Sequence, residues 1–126
     1  MLIGYLTTDA VNLNLAERLA KTCKAELLML SLREEVPEDF IDAVAYDLDY
    51  LPPEKREEVL AVLSAKRVPY PVVVHSYNLE KRQRLALRAN GVLVARRLGR
   101  KAFLILCRKV HLGERAARGR PTPDLL

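Results

Sequence analysis

Tryptophan is absent, and there are only two cysteines, Cys23 and Cys107. They lie 84 positions apart with no partners at metal-ligand spacing, so neither a zinc site nor a disulfide framework is expected. Each reads instead as a small buried hydrophobe. No apolar run approaches the ~18 residues of a membrane span, and no secretory pattern of basic, apolar and cleavage-site regions opens the chain. No membrane partner and a cytoplasmic location are therefore the expectations. Aromatic residues thin out along the chain: after residue 78, Phe103 stands alone. That removes the stacking platform used by single-strand nucleic-acid binders. Zinc-finger and helix-turn-helix signatures are missing too, and there is no internal repeat.

What is present is an even spread of apolar residues, half of the 126. It is enough for one hydrophobic core without staples. The charges are less even. Residues 1–78 hold eight basic and thirteen acidic residues, whereas residues 79–126 hold thirteen basic and three acidic. The split points to an anionic partner for the second half, to attraction between copies as a homodimer, or to charges that mix once the chain folds. Arg82, Arg84, Arg88, Arg96, Arg97, Arg100 and Lys101 form the candidate anion or partner surface. Its ligand could be an acidic protein or, through phosphate contacts, a nucleic acid.

Short apolar runs alternate with helical patterns. LIGYL (2–6) reads as a buried strand, and Thr8 or Asp9 can cap the helix behind it. Leu15, Leu19 and Cys23, beside Ala16 and Ala20, make that helix's apolar stripe. ELLMLSL (26–32) is expected as a second buried strand. REEVPEDF is broken by Pro37, so any helix there is short. A third strand is expected over 43–47. Pro53 suits the first position of a helix with Val59, Leu60 and Leu63 inward. PVVVHS (71–76) is a β-branched fourth strand. In LEKRQRLALRA, Leu85 and Ala89 are expected to face inward, and Asn90-Gly91 offers a left-handed stop. The fifth strand is either 92–95, the preferred reading, or 102–107. These elements predict a single α/β domain over 1–112: a doubly wound, mostly parallel five-stranded sheet with helices on both faces, flavodoxin-like. Residues 113–126 are expected as a basic, flexible tail.

In such sheets function gathers at the carboxyl ends of the strands. That rule selects Thr7, Thr8 and Asp9, then Asp47 and Asp49, then Ser76 with His75, and Arg96. His75 and Ser76 are adjacent on a strand and point to opposite faces, so His75 reads as a structural residue. His111 reads as a residue on a solvated face.

The residues at these positions resemble the receiver domain of two-component response regulators. DAVAYDLDYLP resembles the third strand that carries the phospho-accepting aspartate, which places Asp47 at the acceptor position. PVVVHSYN resembles the fourth strand with its switch hydroxyl, here Ser76, and LRANGVLVARR resembles the turn and fifth strand before an essential lysine. The family's acidic pair after the first strand is replaced by LTTD, leaving Asp9 with Asp47 as weak candidate ligands for Mg²⁺. The lysine position falls on Ala95 or Arg96. The resemblance thus implies a degenerate receiver, a regulatory protein acting by protein–protein interaction more than as an enzyme, with no cofactor beyond a doubtful Mg²⁺. AYDLDYL followed by VVVHS also resembles haloacid-dehalogenase-type phosphatases, in which Asp47 would be the nucleophile and Asp49 the acid/base. Tyr50 and Leu51 depart from that motif, and Glu114 and Asp124 are poorly placed to complete its Mg²⁺ site.

Overall fold

The computed structural model describes residues 1–119, with side chains as far as Gly113. The chain alternates strand and helix: β1 (Leu2–Leu6), α1 (Ala10–Thr22), β2 (Glu26–Met29), β3 (Ala43–Asp47), α2 (Pro53–Ala65), β4 (Val72–His75), α3 (Lys81–Ala89), β5 (Leu93–Ala95) and α4 (Arg100–Gly119). A single 3₁₀ turn, Leu48–Tyr50, joins β3 to α2. The five strands form one sheet in the order β2-β1-β3-β4-β5, and every pairing is parallel. The order reverses at β1, so β1 and β3 flank the point where the two halves of the sheet wind in opposite senses.

Strand alternation builds two cores. Val44, Tyr46, Val72 and Val74 face α2 and α3, where Val59, Leu63 and Leu87 meet them. Ile3, Tyr5, Ala43, Ala45 and Val73 face α1 and α4, against Ala16, Ala20, Phe103 and Leu106. Each large aliphatic side chain buried this way contributes about 1.5–3 kcal/mol of transfer free energy. Gly4 packs closely under Leu30: a Cβ there would lie 3.0 Å from Leu30 Cδ1, so the leucine would have to shift.

The β3, α2 and β5 expectations hold, the last as strand Leu93–Ala95 with helix α4 behind it. Asp9 caps α1 by accepting from the Asn12 N–H at 3.0 Å. Gly91 takes the left-handed conformation (φ 78°) that stops α3.

Three expectations are corrected. β2 is four residues long, and Glu26, Leu28 and Met29 are exposed; it is an edge strand, and no helix forms over 30–42 to cover it. In α1 the stripe holds for Ala16 and Ala20, which are buried, and for Leu19 and Cys23, which pack beside them with Leu13, but Leu15 is exposed. Small residues let the helix lie close to the sheet and push the larger ones to the rim. In α3 it is Leu87 that is buried, with Leu85 and Ala89 outside. Helix α4 continues through Gly119 into the segment expected as a tail. The remainder of that segment, 120–126, lies outside the described residues.

Cys107 is buried and Cys23 packs against the same α1/α4 core, both as free thiols. Burial, reinforced by the neighbouring Cys23, pushes the Cys107 thiol up to about 11. Among the described residues no helix is long and apolar enough to cross a membrane.

Candidate functional site

The carboxyl ends of β1, β3 and β4 converge because the three strands are in parallel register. Tyr5 is paired with Ala45, and Asp47 with His75. Alternation then sends Tyr5, Asp47 and His75 to the face covered by α1 and α4. Asp47 is only 1 % exposed. A buried carboxylate is tolerated only with partners, and Asp47 has several. Its Oδ2 accepts from the Thr7 hydroxyl (2.7 Å) and from the Asn12 side-chain amide (2.8 Å). Its Oδ1 faces His75 Nδ1 at 3.7 Å. His75 Nε2 lies 2.7 Å from the Tyr5 hydroxyl. A neutral imidazole accepts from Tyr5 at Nε2 and turns its Nδ1 toward Asp47, an electrostatic approach longer than a hydrogen bond.

Burial holds the His75 pKa below its ordinary 6.5, although the Asp47 and Asp49 carboxylates pull it upward. Burial, together with the charges of Asp47 and Asp9, raises the Tyr5 phenol far above its usual range. The row Tyr5–His75–Asp47 is therefore an uncharged pair docked on a carboxylate. Sequence reading missed Tyr5 and Asn12, which carry no motif and become legible only with the register in hand.

Asp49 belongs to a separate arrangement. Ser76 donates its hydroxyl to Asp49 Oδ1 at 2.5 Å, and the Tyr77 N–H donates to Oδ2 at 2.8 Å. Ser76 also accepts from the Asn78 N–H at 2.9 Å. Burial works against the Asp49 charge, but the Ser76, Tyr77 and Asn78 hydrogen bonds and nearby Arg56 outweigh it and hold the carboxyl below its ordinary range. The structure thus brings Asp49 to Ser76 and Asp47 to His75, with no hydrogen-bond partner in common.

A hard divalent cation needs several oxygens free to face it. Asp9 is occupied in capping α1, Asp47 in its three contacts and Asp49 with Ser76 and Tyr77. Among the described residues no group of three His, Cys, Asp or Glu side chains could hold a metal. These residues do not fit a Mg²⁺ cage.

The basic cluster divides. Arg82, Arg84 and Arg88 lie on α3, and Arg84 donates to the Leu79 carbonyl at 2.6 Å. Arg96, Arg97 and Arg100 lie at the β5–α4 junction, with Lys101 in the first turn of α4. The junction arginines border a cavity of about 750 Å³ whose inner side reaches Tyr5, Asp47 and His75. A second concavity of about 570 Å³ opens on the opposite face beside residues 30–39, with an acidic rim that includes Glu34, Glu35 and Glu58.

No protein-family model and no curated protein matches the chain. Solved structures do. A response regulator receiver protein from Burkholderia phymatum superimposes with a TM-score of 0.60 at 16% identity, covering 87% of this chain and 94% of that one. A fusion protein bearing the trimeric coiled-coil segment of yeast Spc42 gives a TM-score of 0.65 at 11% identity, covering 94% of this chain and 85% of that one. At these identities the likeness is one of fold: a flavodoxin-like α/β domain built around five parallel strands.

Proposed function

We propose that the chain is a receiver-like regulatory protein that acts by protein–protein interaction and does not cycle phosphate through Asp47. One observation carries the reading. The carboxylate at the acceptor position is 1 % exposed and committed to Thr7, Asn12 and His75, so it is not offered to a phosphodonor. Phosphoryl transfer depends on cations or guanidinium groups neutralising charge around the acceptor; among the described residues no group of three His, Cys, Asp or Glu side chains could hold such a cation. The switch hydroxyl, Ser76, is already tied to Asp49.

The output surface in this reading is the α3–β5–α4 unit. β5 is an edge strand, half-exposed along its length, so its outer backbone groups are open to pairing. The exposed Arg82, Arg88 and Lys101 on the flanking helices favour an acidic partner or the acidic half of a second copy.

Treatment with acetyl phosphate and Mg²⁺, followed by intact-mass measurement, tests the phosphoryl half of the reading. The expected outcome is no adduct at Asp47. Stoichiometric labelling that disappears in Asp47→Asn would overturn it.

A further inference from the structure

The cavity at the β5–α4 junction has features that the regulatory reading does not use. Arg96, Arg97 and Arg100 are exposed at its border. Among the described residues none of their side chains takes part in an ion pair or a hydrogen bond. Three guanidinium groups within five positions repel one another unless an anion sits among them. Helix α4 starts at Arg100, so the positive end of a 20-residue helix adds to the same side. Asp47 and Asp49 also border the cavity, but the donors that hold their oxygens already offset much of their charge.

The rest of the cavity lining includes aromatic and apolar side chains. Tyr50 is 50% exposed and Tyr77 69% exposed, and both line it. Leu15, itself 50% exposed, lines it with Leu19 and Leu98. At about 750 Å³ the cavity falls within the ~300–1,000 Å³ typical of small-molecule sites. Guanidinium groups and tyrosine rings lining one cavity match an anion bonded to a flat ring.

We propose that this cavity binds a nucleotide, its phosphates on Arg96, Arg97 and Arg100 and its base against Tyr77 and Tyr50. The inference goes beyond the regulatory reading and stands whether or not Asp47 accepts a phosphoryl group. Isothermal titration of the full chain with ADP, GDP, pyrophosphate and adenosine tests it. At least one of the two nucleotides is expected to bind at least tenfold more tightly than either pyrophosphate or adenosine. Replacing all three junction arginines by alanine should weaken that nucleotide at least tenfold. Tyr77→Ala should weaken the nucleotide several-fold and leave pyrophosphate unchanged. Lys66→Ala, at the end of α2 and away from the cavity, should change nothing. All these side chains are exposed, and circular dichroism checks that each variant is folded. The proposal is overturned by absence of binding of both nucleotides at millimolar concentration or by pyrophosphate binding as tightly as they do. It is equally overturned by a triple arginine variant that keeps its affinity, or by a Lys66→Ala loss equal to that of the triple variant.

Discussion

Replacing Asp47 by alanine removes the partner of three groups at once. Thr7 is buried, and its hydroxyl, 2.7 Å from Oδ2, has no solvent to turn to. Leaving a buried donor unmade costs about 1–3 kcal/mol. Asn12 is half-buried and can rotate its amide toward water, so its share falls at the low end of that range. His75, 3.7 Å from Oδ1, loses the carboxylate that its Nδ1 faces, and with it the orientation that receives Tyr5. Losing the buried charge itself returns part of the cost, because a carboxylate is expensive to desolvate. The balance is a destabilisation of about 3 kcal/mol, a large share of the ~5–15 kcal/mol that holds a domain folded. For a domain of this size that corresponds to a fall in Tm of roughly 10 °C. Asp47→Asn keeps the shape and one acceptor oxygen, and should cost about 1 kcal/mol. Urea denaturation followed by far-UV circular dichroism reads both, tryptophan emission being absent from this chain. A solvent-facing phospho-acceptor would behave in the opposite way. If Asp47→Ala lies within ~0.5 kcal/mol of the parent, or above it, Asp47 is not the structural centre described here.

The remaining expectations are thermodynamic. Because burial holds the folded-state pKa of His75 below 6.5, the unfolded chain takes up a proton first as the pH falls. The stability this group contributes is therefore present above pH 6.5 and is lost on acidification below it. Denaturation midpoints measured from pH 7.5 to 5 should fall for the parent and fall less steeply for His75→Asn; equal slopes would count against a neutral buried ring. On α3, Leu87→Ala should cost about 2–5 kcal/mol and Leu85→Ala less than ~0.5 kcal/mol, a contrast that paired urea melts resolve. Equal losses would mean that the helix is rotated.

The elements that were legible in the sequence are those whose local signals agree. AVAYD is apolar on both faces and bounded by a turn, so it reads as a central strand, and Pro53 marks the start of the next helix. Asn90-Gly91 decides between two candidates for the fifth strand because only glycine adopts φ 78° without strain. Helix faces were less legible. Leu85 and Leu87, two positions apart, point to nearly opposite sides of a helix, and the charges around them are too evenly spread to choose between them. In α1, large residues look like core, yet the alanines are buried because only they allow the close approach. The edge position of β2 follows from the strand order, and its exposure from the lack of a helix over 30–42, long-range facts that four residues cannot encode. At the site, Asp47, Asp49 and Ser76 were selectable from strand ends alone. Their pairing was not, since it follows from the register of β1, β3 and β4.

The Asp47 network also has a kinetic meaning. Its contacts join residues 40 and 35 positions apart, and the Tyr5–His75 bond spans 70. Bonds of that reach close only after three strands have found their order, because the loop entropy must be met first. Contacts of this separation are expected to form late in folding, after its transition state. Interactions formed after the barrier leave the rate of folding almost untouched and govern the rate of escape from the native state. The buried Asp47 carboxylate is thus expected to be a latch, setting how long each folded molecule lasts before it opens.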